Sequence, residues 1–269
     1  AGNIVSPNPN TIAVTEAFKL DLTAVMMTNL IPALCALIAT IVLASLLAKK
    51  AGDGISQNDL EAAPAEKLPN ALQAFAGPLT VIVLLALRPL AKISVDPLIA
   101  LPLGGLVCIL VTGNIRKLIP YTDFGLSKVI GVAILLIGTG TIAGIIKASA
   151  LQKDMTALLS AMNMPAFILA PLSGILMAAA TASTTAGSTV ASQTFSGTLL
   201  SAGVPALSAA AMIHAGATVL DSLPHGSFFH ATGGSVYMDI KNRMKLIPFE
   251  ALIGLTSTIV AVILYLVAA

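Results

Sequence analysis

Residues 219–234 read VLDSLPHGSFFHATGG, and they decide the fold because an aspartate, two histidines, a proline and three glycines interrupt a run of apolar, helix-forming sequence. Charged residues make up 10% of the chain and hydrophobic ones 57%. A soluble domain carries about a quarter charged residues, so the composition points to lipid as the solvent. In that solvent each polar group in the stretch is costly unless it is satisfied or used. Pro224 cannot continue a helical hydrogen-bond ladder and Gly226 follows it. The helix is expected to break near Ser222, with Ser222 capping a new half-helix whose first turn holds Pro224.

Working outward, five apolar runs are long enough to cross a hydrocarbon core of about 30 Å as helix: 22–48, 71–90, 94–113, 126–147 and 246–268. Residues 148–163 are amphipathic and too short to cross; they read either as an interfacial helix or as a solvated linker. Residues 165–203 differ in kind. Two half-length apolar pieces flank TASTTAGST (181–189), as in a re-entrant hairpin whose tip turns inside the membrane. One long helix with a hydroxyl-rich face is the alternative. Thr184, Thr185, Gly187, Ser188 and Thr189 are nearly consecutive and do not share one helical face, which favours the hairpin.

The start of the chain repeats this layout. AGNIVSPNPNTIAVTEAF precedes a polar stretch, Leu30-Ile31-Pro32 and a long apolar run; AGATVLDSLPHGSFFHATGGS precedes a polar stretch, Leu246-Ile247-Pro248 and another. Paired broken segments in corresponding places are the mark of inverted-repeat transporters with a midplane binding site. Threading the spans puts the two breaks on opposite faces. Nine basic residues (Lys49, Lys50, Lys67, Arg116, Lys117, Lys128, Lys241, Arg243, Lys245) then lie on one side and five (Lys19, Arg88, Lys92, Lys147, Lys153) on the other. The positive-inside rule makes the richer side cytoplasmic and the C-terminus extracytoplasmic.

The fold expected is therefore an all-α integral membrane protein. It is a polytopic bundle with a partial first repeat (1–48), a cytoplasmic connector (49–70) and a second inverted repeat (71–269) that holds the hairpin 165–203 and the broken helix 205–242. A net charge of +2 with scattered basic residues excludes a nucleic-acid partner. Cys35 and Cys108 sit in apolar runs without CxxC spacing and read as small core residues. His214, His225 and His230 lack metal-ligand spacing, and no GxSxG accompanies Asp221, Ser222 and His225, so neither a metal site nor a membrane hydrolase is favoured, and no cofactor is called for.

The runs GSTVASQTF, PALSAAAMIHAGATVLDSLPHGSFFH and SPNPNTIAV resemble the gluconate permease family of the ion transporter superfamily, most specifically over residues 181–235. The resemblance implies a secondary transporter in the bacterial inner membrane. It would carry small hydroxycarboxylate or sugar-acid anions by proton symport, with sodium as the other coupling ion to consider, and work as a homo-oligomer. It also implies that an N-terminal remainder of the transporter precedes these residues. The tip TASTTAGST departs from the glycine, serine and alanine pattern of gluconate carriers and leaves the substrate open.

A carboxylate held at the midplane needs hydrogen-bond donors and the positive ends of half-helices. The expected anion contacts are Ser183, Thr184, Thr185, Ser188 and Thr189 at the tip, Ser222, His225 and Gly226 at the second break, and Asn8, Asn10 and Thr11 at the first. Coupling needs a group that exchanges a proton as access alternates. Asp221 leads, because helix dipole and desolvation both disfavour its charge there; His225 and His230 follow, since imidazole titrates near neutral pH. His214, seven residues before Asp221, is expected to hydrogen-bond within the core or extend a proton path. A cation/proton antiporter with carboxylates at the break is the rival reading, with Glu16 as its second acid.

Overall fold

The computed structural model describes residues 2–51, 69–91, 93, 95–161, 164–236 and 238–268, and helices are the only regular elements among them. In chain order these are α1 (Pro9–Phe18), α2 (Leu22–Thr28), α3 (Leu30–Ala51), α4 (Ala71–Ala91), α5 (Pro97–Val111), α6 (Leu118–Ala148), α7 (Leu151–Ala161), α8 (Leu169–Thr181), α9 (Thr184–Ser201), α10 (Ala206–Gly216), α11 (Ser227–Ser235), α12 (Ile240–Met244) and α13 (Ile247–Ala268). The connector 49–70 lies largely outside the described residues, as do Lys67 and Lys92 of the charge count.

The chain divides into two compact units, residues 50–131 and the remainder. In the smaller unit α4 and α5 pack together, and the backbone of Gly104 approaches that of Gly77. Asp96 caps α5 by accepting from Leu98 N at 2.8 Å, and Gly113 follows in the left-handed region at φ 71°. These two signals hold α5 to 15 residues. That is about 22 Å of helix, short of the span expected over 94–113.

The larger unit is built around α10. Residues Ala209 to Gly216 are all buried, enclosed by α8, α9, α13, α1 and α2. Phe195, Leu199, Met212 and Ile213 anchor a core that α1 joins through Val14 and Phe18. Small residues permit the close approach that packs helices in lipid, where burial alone gives no drive. A Cβ on Gly174 of α8 would stand 2.3 Å from the Ile213 carbonyl oxygen, and one on Gly216 of α10 would stand 2.5 Å from that of Pro171. Outward, Ile38, Ile41 and Leu46 of α3 and Leu252, Ile259 and Ile263 of α13 are exposed. Rows of uncovered aliphatic side chains are what a lipid-facing surface requires. By length and composition two described stretches reach a membrane crossing: Leu30–Lys49, with mean hydropathy 2.6, and Ile240–Ala268, with 2.4.

Two sequence expectations need correction, and one alternative falls. The run 22–48 is two helices that part at Asn29, where Pro32, lacking an N–H, leaves the Thr28 carbonyl without its helical donor. Residues 165–203 are two helices, α8 and α9, turned at Ala182 and Ser183, so a single long helix is excluded. The break in the opening stretch starts earlier than Ser222. Helix α10 ends at Gly216, residues 217–226 are irregular, and α11 is capped by Gly226, which leaves Ser222 and Pro224 inside the break. Carbonyls accept in turn bonds there: Ala215 from Thr218 N, Gly216 from Val219 N and Leu223 from Gly226 N.

Candidate functional site

The hairpin tip, the irregular N-terminal turn and the break 217–226 meet around a cavity of about 500 Å3. Each is shaped locally. Ser183 caps α9 by accepting from Ala186 N at 3.2 Å. Ala182 before it is left-handed at φ 45°, a conformation that costs a non-glycine residue about 1 kcal/mol. A Cβ on Gly226 would lie 2.4 Å from the Ala182 carbonyl oxygen, so only glycine lets the break 217–226 lie this close to the tip. At the first turn Asn8 accepts from Thr11 N at 3.1 Å and donates to the Asn3 carbonyl at 2.7 Å, which folds residues 3–8 over the start of α1.

A chain of hydrogen bonds ties the three segments together. Thr184 Oγ1 donates to Asp221 Oδ2 at 2.6 Å and accepts from Asn3 Nδ2 at 2.8 Å. Ser222 Oγ donates to the other oxygen, Asp221 Oδ1, at 3.0 Å. Behind the tip, Asn10 Nδ2 donates to Asn3 Oδ1, and Thr185 donates to the Asn10 side-chain oxygen. Both carboxylate oxygens of Asp221 thus hold hydroxyl partners, one from the tip and one from its own segment.

Of the residues expected to form the site, Ser183, Thr184, Thr185, Asp221 and Ser222 line this cavity. The others do not. Asn10 acts from behind the tip, and Asn8 and Thr11 brace the turn, Thr11 by donating to the Ser6 carbonyl at 2.8 Å. Ser188 and Thr189 donate back to the Thr185 carbonyl at 3.3 and 2.7 Å. That local bond, always within reach of a helical hydroxyl, keeps them inside α9. Gly226 supplies close approach rather than a lining group, and His225 is exposed and outside the cavity. His230 is exposed too, its Nε2 lying 2.8 Å from the Pro224 carbonyl oxygen. His214 is fully buried with no hydrogen-bond partner on either ring nitrogen among the described residues, which corrects the expected core hydrogen bond. No group of three metal-ligating side chains gathers among the described residues, so His214, His225 and His230 do not converge.

Sequence reasoning missed three residues. Asn3 bridges the first turn to the tip. Glu250 lines the cavity from the first turn of α13, whereas Glu16 is exposed and outside it. Arg243 holds Glu250 with two parallel bonds of 2.8 and 2.9 Å. A signal existed for Glu250, since an acid two residues after Pro248 inside an apolar run demands a partner. The cavity wall therefore carries hydroxyls, one amide and two carboxylates, of which Glu250 is neutralised by Arg243. None of its described lining residues is a lysine, arginine or histidine. Such a wall can hydrogen-bond a polyhydroxylated solute and can hold or release a proton at Asp221.

No family model matches the chain, and no solved structure matches it. Over 265 residues it is 55% identical to a Haemophilus influenzae protein described as an uncharacterized transporter. The alignment takes in 98% of this chain and 63% of that relative, so the chain spans less than two thirds of the relative's length.

Proposed function

We propose that the chain is the substrate-binding part of a multi-pass secondary transporter of the bacterial inner membrane, which carries a small hydroxycarboxylate or sugar-acid anion together with a proton. The relative described as a transporter supports transport in general. The observation that carries the finer reading is the placing of Asp221 between hydroxyls of the tip and of the break on the wall of a 500 Å3 cavity. That volume lies within the usual range for small-molecule sites.

Coupling follows from charge. Two like charges about 4 Å apart repel by about 4 kcal/mol at an effective dielectric constant of 20, roughly three orders of magnitude in occupancy. An anion therefore enters beside Asp221 only when that carboxyl carries a proton, and the two travel together. Once neutral, Asp221 can donate to the substrate, while Ser183, Thr185 and Asn3 offer partners to substrate hydroxyls. In this reading the first turn and the break 217–226 are the paired interruptions of inverted repeats, and the hairpin is re-entrant. An N-terminal remainder, surrounding lipid and further copies of the chain complete the carrier, with the C-terminus extracytoplasmic.

A second reading, cation/proton antiport, is favoured by one observation: Asp221 and Glu250 are the charged groups of the described lining. Proteoliposomes of the full-length protein separate the two. Gluconate, glycerate, lactate and hydroxybutyrate are offered under an inward proton gradient. Carboxylate uptake that collapses with the gradient supports symport. Proton efflux driven by sodium or potassium without any carboxylate would replace it with antiport.

A further inference from the structure

We propose that Arg243 is the receptor for the substrate carboxylate, kept occupied by Glu250 until the substrate takes Glu250's place. The inference rests on reading the cavity as that of an anion carrier.

Arg243 is 3% exposed, yet its guanidinium is built like a binding fork. Its two terminal nitrogens donate to the two oxygens of Glu250 at 2.8 and 2.9 Å. Its Nε donates to Thr232 Oγ1 at 3.2 Å, and its plane lies over the Phe229 ring, 4.9 Å from the centroid. Hydroxyl and ring fix the group so that the fork faces a single carboxylate. Forked pairing of this kind is the strong geometry for recognising planar oxyanions.

The carboxylate it holds is not walled in. Glu250 is 29% exposed, lines the cavity, and stands in the first turn of α13, where the positive end of a 22-residue helix also favours negative charge. A pair that only braced α12 against α13 would have no need of a cavity at its carboxylate end. The position now filled by the Glu250 side chain thus has a forked donor, a helix N-terminus and access from the space beside Asp221. A substrate carboxylate that displaces Glu250 inherits both bonds, and its hydroxyls are left for the tip. The cavity lining lacks a cation only because Glu250 covers it.

The experiment compares binding of gluconate and of its uncharged amide to the native full chain and to variants in detergent, by calorimetry. Glu250→Gln removes the competing charge and keeps the shape, so gluconate should bind about tenfold more tightly, as expected when one charged competitor is lost, while the amide is unaffected. Arg243→Gln alone leaves the Glu250 carboxylate without its partner and risks unfolding. The double variant Arg243→Gln with Glu250→Gln keeps a neutral hydrogen-bonded pair, and it should lose the preference for gluconate over the amide. Native protein that binds gluconate, with no gain in Glu250→Gln or an equal gain for the amide, overturns the role of Arg243 and leaves the carrier reading standing. Gluconate, glycerate, lactate and hydroxybutyrate all failing to bind both proteins overturns both.

Discussion

Thr184 donates its hydroxyl proton to Asp221 Oδ2 at 2.6 Å, although 37 residues separate the two in sequence. The same oxygen of Thr184 accepts from Asn3, so the hydroxyl's direction is set, and the tip is oriented by one residue from the N-terminal turn and one from the break 217–226. A hydrogen bond to a charged group contributes about 1.5–3 kcal/mol. Thr184→Val, which keeps the shape and removes the hydroxyl, should lower gradient-driven uptake about tenfold or more. Thr184→Ser should retain most of it. Equal uptake by native protein and Thr184→Val in proteoliposomes would remove Thr184 from the site.

Asp221→Asn presents the neutral form of the carboxyl permanently. Substrate should still bind and exchange across the membrane, because an amide can donate where the protonated acid did. Accumulation against a gradient should vanish, because no proton is left to release. Counterflow and proton-driven uptake measured on one preparation check this. Counterflow lost together with accumulation makes Asp221 a binding residue and leaves coupling to another group.

Gly226 and Gly197 form a matched pair for testing whether the break and the tip must touch. A Cβ at Gly226 meets the Ala182 carbonyl oxygen at 2.4 Å, while one at Gly197 meets nothing within 4 Å. Overpacking of this kind costs about 1–3 kcal/mol. Gly226→Ala should lower the melting midpoint and abolish uptake by levering the tip from Asp221. Gly197→Ala should leave both unchanged. Normal uptake in Gly226→Ala would show that the contact is dispensable.

The sequence was legible where a polar group had no reason to be in lipid. Asp221, Ser222 and the tip hydroxyls Ser183, Thr184 and Thr185 stood out because nothing in an apolar run explains them, and they line the cavity. Ser188 and Thr189 carry the same signal but turn to the Thr185 carbonyl, and residue type does not reveal which partner a hydroxyl takes. Arg243 was read only as a charge on one membrane face, since its pairing with Glu250 depends on how α12 meets α13. Asn3 was missed because its partners Thr184 and Asn10 belong to segments far apart in sequence or folded back on it. The length of α5 was overestimated because hydropathy does not register the cap at Asp96.

His214 supplies the last test. It is fully buried in α10, the helix at the centre of the larger unit, and neither ring nitrogen has a hydrogen-bond partner among the described residues. A buried polar group in that condition costs about 1–3 kcal/mol. Methionine is apolar and flexible enough to fill the space that an imidazole leaves. His214→Met should therefore raise the melting midpoint by a few degrees. The polar group opposes stability, so its use must be read from transport. Proton-driven uptake that is unchanged in the stabilised variant assigns His214 to packing. Uptake lost while the fold tightens and counterflow persists assigns it to the route by which protons reach Asp221, seven residues further on in the break that follows α10. A lowered midpoint would mean that the imidazole is satisfied in the folded protein after all, and the expected gain in stability would be wrong.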